Sequence, residues 1–154
     1  MKRRDISKKE LQMLIEQHHH YLIGDRQYLK ADLSGVNLKG ADLRGADLRS
    51  ANISCADLMN VDLTGADLRG ADLSGTDLRG AIMKVTNLRG ADLSSTYLDG
   101  ADMRLADLKC ADVSFSYLNS ETNLLLADIE YANFYASVKD DVNFDVAKNV
   151  SFTL

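Results

Sequence analysis

The sequence predicts an all-β solenoid: a chain wound in right-handed, four-sided coils around an inward stack of leucine, closed at its first end by an α-helix. Three observations predict it. The chain from Ala31 to Ser120 divides into 18 consecutive five-residue units. The departures from the unit recur at 20 residues, so four units make one coil. Residues 6–23 alone break the pattern with helical spacing.

Number each unit from its central residue i, which is Leu33, Leu38, Leu43 and so on to Leu118. All 18 centres are aliphatic, 14 of them Leu. Position i−2 is Ala in 12 and otherwise Val, Thr or Ser; position i−1 is Asp or Asn in 15. Position i+1 is basic in nine and i+2 is Gly in nine. A period of five does not fit the helical period of about 3.6. A helix would also carry those interior glycines at about 1 kcal/mol each. In extended backbone, i−2 and i share one side while i−1 and i+1 point to the other. Leu and Ala therefore face inward, Asp and Arg outward, and Gly suits a turn before the next short strand.

The 20-residue columns fix the number of sides. Ser34, Ser54, Ser74, Ser94 and Ser114 share i+1, as do Arg49, Arg69, Arg89 and Lys109. Tyr97 and Tyr117 share i−1, and Met83 and Met103 share the centre. Stacked coils lie about 4.8 Å apart, and a right-handed sense is expected of parallel crossovers.

Two segments lie outside the regular run. Residues 1–25 form the capping unit. Ser7-Lys8-Lys9-Glu10 reads as a capping box, Ile6 and Leu11 as a hydrophobic staple, and Gly24 as the stop. Leu11, Leu14, Ile15, His18 and Leu22 make one apolar stripe. Residues 26–154 form the solenoid. Its frame slips by one residue within 119–123, because Leu124, Ile129, Phe134 and Phe144 fit a frame one residue later. The last coil, with Phe152 and Leu154, is expected to be irregular. A second subunit is expected to cover that end.

With their A(D/N)LXX units, residues 26 to about 149 resemble the pentapeptide-repeat protein family. The resemblance implies the family's right-handed quadrilateral β-helix and a protein-binding role. Some relatives mimic DNA and bind topoisomerase, so a DNA-mimic modulator of DNA gyrase is the alternative to a self-associating scaffold.

Composition narrows the function classes. The net charge is −5 with no polybasic tail, which disfavours nucleic-acid binding. No apolar run approaches the roughly 18 residues of a membrane helix, and Met1-Lys2-Arg3-Arg4 is followed by no signal-like apolar stretch. A cytoplasmic location is expected. Cys55 and Cys110 stand 11 repeats apart, so no disulfide or zinc pair is expected. His18, His19 and His20 point about 100° apart on a helix and are expected on its surface, with no metal. The Asp residues are read as a solvated coat, with no catalytic dyad and no cofactor motif. The first side, with Asp32, Asp72, Asp92 and Asp112 and no basic residue, is the acidic one.

Apolar residues at outward positions are the candidate interface. Ile82, Val85, Leu105 and Leu126 fall on the third side. Tyr97, Phe115 and Tyr117, with Val138, fall at the second. Phe144 and Phe152 lie at the C-terminal end. The partner expected is protein, a second copy of the chain included.

Overall fold

The computed structural model describes residues 3–149. Phe152 and Leu154 lie outside the described residues, as do Met1 and Lys2. The chain winds as a coil whose neighbouring turns meet in parallel, Asp32 on Asn52, Asn37 on Asp57, Asp42 on Asp62, Asp47 on Asp67. Four successive sides, each twenty residues from its partner, define the four-sided coil. Regular strand is scarce, contrary to the expectation of short strands throughout. Among the described residues it is confined to four dipeptides: β1 (Arg4–Asp5), β2 (Val36–Asn37), β3 (Tyr117–Leu118) and β4 (Val138–Lys139). Elsewhere the coils touch at single-residue bridges. Five residues must make both a side and a corner, which leaves little length for a ladder.

The unit closes its own backbone account, as residues 61–65 illustrate. The Val61 N–H donates to Leu58 across the corner turn, and Asp62 N–H donates to Ala41 in the coil before. Leu63 and Gly65 donate to Ile82 and Lys84 in the coil after. The remaining Thr64 N–H donates to the Asp62 side chain, at 3.0 Å. All five amides are satisfied, as buried backbone requires. The i−1 Asp or Asn is thus an acceptor built into each turn. Reading it only as a solvated coat missed this. Position i+2 has positive φ in every unit from Gly35 to Phe115, which suits Gly and strains other residues.

Inside, Leu33, Ile53, Leu73, Leu93 and Val113 stack on the first side, with Ala at i−2 letting the walls close on them. Each buried Leu contributes about 2 kcal/mol by leaving water. The second side carries a polar seam within the core. Thr96 and Ser116 donate to Leu93, while the buried Thr76 hydroxyl finds no partner among the described residues.

At the first end, α1 (Lys8–Leu22) lies over the stack, with Leu11 in the core and Ile6, Leu14 and Ile15 packed against it. Only half of the expected capping box forms. Ser7 Oγ accepts from the Glu10 N–H at 3.1 Å, but the Glu10 carboxylate is held by Arg4 instead. Gly24, at φ +88°, ends the helix with Gly24 N–H on Tyr21 and Asp25 N–H on His20. The segment before α1 adds a rung of its own, β1 on β2, and Arg3 reaches Asp57 at 3.1 Å.

His18 departs most from expectation. It is fully buried, not on the helix surface. Its Nδ1 accepts from the Ala31 N–H at 3.1 Å, so the ring proton is on Nε2, which donates to the Arg49 carbonyl at 3.0 Å. One ring thereby ties the helix to both ends of the first coil, residues 31 and 49. Burial pushes its pKa down from the usual histidine value, partly countered by the bond to Arg49.

Coil spacing changes from 20 to 21 at the pairs Asp102–Asn123, Asp107–Asp128 and Asp112–Asn133. The extra residue is absorbed at Asn119. Its side-chain oxygen accepts the Gly100 and Glu121 N–H groups, each at 3.1 Å. In the coil before, the equivalent Gly80 N–H donates to a backbone carbonyl, that of Asp99. Asn119→Ala removes the acceptor of two amides and should cost about 1–2 kcal/mol. Thermal melts of the two proteins check this, and an unchanged midpoint would mean water replaces the side chain.

The far end is covered in part by its own chain. A 3-10 turn (Phe144–Val146) sets the Phe144 ring edge-on to Phe134, with centroids 5.2 Å apart, and Val142 and Ala147 also pack on the core. Phe144 is therefore half-buried packing at the end of the stack.

Candidate interaction surface

Charge on three sides is largely internal. Arg44, Arg49, Arg69, Arg79 and Arg104 each fold back two residues onto the Asp of their own unit, through two guanidinium nitrogens at 2.6–2.9 Å. These bonds hold the carboxyls below the usual range, Asp42 at about 2. Asp77 is held down mainly by Arg79 and is itself buried, contrary to the picture of a wholly solvated coat. Lys84 reaches Asp102, Arg89 reaches Asp107, and Lys109 reaches Asp128 in the coil after. Exposed pairs of this kind contribute little stability each. Their effect is to remove free charge from the surface.

The first side is different. Asp72, Asp92 and Asp112 lie in consecutive coils, and their ladder contains no cation. Among the described residues none of them makes an ion pair. Asp92 accepts from Ser94, and Asp112 accepts from Ser114 and Asn133.

Apolar side chains gather at two diagonally opposite corners. Val85, Leu105 and Leu126 form one column where the third side turns into the fourth, and all three are exposed. Ile82 on the third side stands in the same unit as Val85. At the other corner, where the first side turns into the second, the Phe115 and Tyr135 rings meet edge-to-face at 5.8 Å. Tyr97 and Tyr117 stack beside them at 5.0 Å and 9°. Arg79 lies over Tyr97, 5.8 Å from its centroid. Val138, paired with Tyr117, continues that column. Phe144 joins neither group, and Phe152 lies outside the described residues. Tyr131, Tyr135 and Leu125 are also exposed and were missed. Carrying the shifted frame past residue 123 would have found them, since Tyr131 is at i+2 and Leu125 and Tyr135 are at i+1.

Position makes these residues notable. Val85, Leu105, Phe115 and Leu126 hold left-handed backbone, with φ of 57–59°, at the corner where nine other units place Gly. A β-branched residue there is a conformational outlier. Ile82, Tyr97 and Tyr117 are the three departures from Asp or Asn at i−1, and each removes the acceptor of the i+1 amide. Lys84 and Asp99 N–H accordingly find no acceptor among the described residues. Asn119 N–H turns to Thr122 Oγ1.

Among the described residues no group of His, Cys, Asp and Glu could hold a metal ion, and no helix is long and apolar enough to cross a membrane. A groove of about 870 Å³ runs along the exposed face of α1 from Ser7 to Glu16 and meets none of the candidate residues.

A protein-family model described as pentapeptide repeats matches in 8 copies, over residues 30–65, 60–84 and 86–120. No curated protein matches the chain. Solved structures that resemble it include alr5209, a pentapeptide repeat protein from Nostoc PCC 7120, at 24% identity and TM-score 0.39, covering 90% of this chain and 99% of that one. HetL, a pentapeptide repeat protein involved in heterocyst differentiation regulation in the same cyanobacterium, is 25% identical with TM-score 0.34, covering 78% and 66%. QnrB1, a plasmid-mediated fluoroquinolone resistance protein, is 20% identical with TM-score 0.46, covering 79% and 63%. The matched repeats span more than half of the sequence and coincide with the coils described above: the chain belongs to the pentapeptide-repeat family.

Proposed function

We propose that the protein is a non-enzymatic interaction scaffold, wound as a right-handed quadrilateral β-helix, that self-associates through the corner of Ile82, Val85, Leu105 and Leu126. The observation that carries this is the placing of apolar side chains where they cost stability twice, once by exposure to water and once by left-handed backbone or a lost turn acceptor. Gly at the same corner would be both more soluble and less strained. Two free cysteines suit the reducing cytoplasm. Leu105→Asp tests the reading, because Asp tolerates left-handed backbone and the fold is kept. In analytical ultracentrifugation the parent chain should show a concentration-dependent oligomer and the variant a monomer with unchanged circular dichroism. Identical sedimentation of the two would remove the proposal.

The second reading, a DNA-mimic modulator of DNA gyrase, is favoured by the cation-free Asp column of the first side. Pairing on the other three sides weighs against it, since duplex DNA presents one charge per roughly 1.7 Å. Unaltered supercoiling by gyrase in the presence of micromolar protein would exclude it.

A further inference from the structure

We propose that the first side and its aromatic borders form a docking surface for an arginine-bearing, positively charged segment of a partner protein, separate from the self-associating corner. Between residues 31 and 118, the carboxylates without an ion pair among the described residues are Asp32, Asp72, Asp92 and Asp112, all on the first side, and Asp99, two residues after Tyr97. Every other Asp in that span has an Arg or Lys within 4.0 Å. Between residues 31 and 118, uncompensated negative charge is thus concentrated on one side of the coil.

Aromatic rings border that same side at both corners. Tyr131, 70% exposed, stands where the fourth side turns into the first. Phe115, 54% exposed, stands where the first turns into the second, and Tyr135, 62% exposed, meets it from the first side of the next coil. Both rings of the edge-to-face pair are exposed, and Asp92, Asp112 and Asn133 stack in consecutive coils on the side that the aromatic residues border. A guanidinium needs both features, a carboxylate for its paired N–H groups and a ring face for its plane. The protein uses that combination once itself. Arg79 is held by both oxygens of Asp77, at 2.8 and 2.6 Å, while lying over Tyr97. Lysine, a compact and strongly hydrated charge, fits less well. Phe115 also accepts left-handed strain to stand at this corner, as Val85 does at the other.

The probe is a synthetic decapeptide of alternating Arg and Ser, compared with its Lys counterpart. Both are titrated at physiological salt into the ¹⁵N-labelled Leu105→Asp variant, so that loss of self-association does not enter the result. The expected outcome is binding of the Arg peptide, with shifts centred on Asp92, Asp112, Phe115, Tyr131 and Tyr135, and weaker binding of the Lys peptide. Adding Phe115→Gly and Tyr135→Ser relieves strain at one of the two positions, so the variant stays folded. It should lower affinity about tenfold or more, the size of a cation–π contact with its packing. The proposal is overturned by no binding, by equal affinity for both peptides, by undiminished affinity in the Gly/Ser variant, or by shifts on another side.

Discussion

The double variant Ile82→Asp, Val85→Gly should melt higher than the parent protein and should no longer self-associate. Each change restores what most other units have. Asp at residue 82 gives the Lys84 N–H the side-chain acceptor it lacks, which contributes about 1 kcal/mol. Gly at residue 85 removes left-handed strain from a β-branched residue, which costs about 1–2 kcal/mol where it persists. Losses are small when both proteins are compared as dilute monomers, because both side chains are then exposed and neither belongs to the core, whereas loss of the oligomer lowers the apparent midpoint at higher concentration. The sum, about 2 kcal/mol, corresponds to a rise of roughly 4–8 °C for a chain of this length. Melting is followed on protein diluted until the parent sediments as a monomer, and sedimentation at higher concentration gives the mass. A higher melting point with a monomeric particle is the combination that marks an interface maintained against stability. If the midpoint falls, Ile82 and Val85 are holding the coil together, and their exposure has a purely structural cause.

Much of the coil is written in the sequence because its two periods act on different scales. The five-residue period of Leu33, Leu38 and Leu43 reflects inward packing of single side chains. The twenty-residue recurrence of Ser, Arg and Tyr reflects stacking of like positions in adjacent coils. Both are properties of spacing, and spacing is what a sequence displays. What escaped notice depends on local geometry instead. Asp62 looks like any exposed carboxylate until the turn places the Thr64 N–H within reach of it. Arg49 looks like half of a surface charge column until it folds onto Asp47 of its own unit. Phe144 keeps the shifted frame yet sits in a 3-10 turn, with its ring edge-on to Phe134. Tyr131 and Tyr135 required the changed frame to be followed beyond Asn119, where a side chain stands in for a backbone carbonyl and the count alone does not say which side comes next.

Replacing His18 with Ala should release the helical cap. Two buried backbone groups, the Ala31 N–H and the Arg49 carbonyl, would lose their partner together, at a cost of about 3 kcal/mol before the cavity is considered. The parent protein should approach the same state in mild acid. The folded ring is neutral, and its Nδ1 must keep a lone pair to accept from Ala31. A proton there would set two N–H groups against each other. Desolvation lowers the folded pKa, so the open cap binds the proton more readily than the closed one. Stability is therefore complete above the ordinary histidine value of about 6.5, and is lost as pH falls from there through the folded pKa. Asp47, Arg49 and Lys30 are the charged groups that act on the ring, and Tyr21 stacks on it. Asp47 is itself held below the usual carboxylate range by its bond from Arg49, so it stays ionised across this window. The readout is exchange of the Ala31 amide with solvent at pH 7 and pH 5, together with helical circular dichroism. His18→Gln supplies an acceptor and a donor that do not titrate. It should keep the cap closed at both pH values, while His18→Ala leaves it open at both. If the Gln variant loses protection in acid as the parent does, the sensitive group lies elsewhere and the histidine is packing alone.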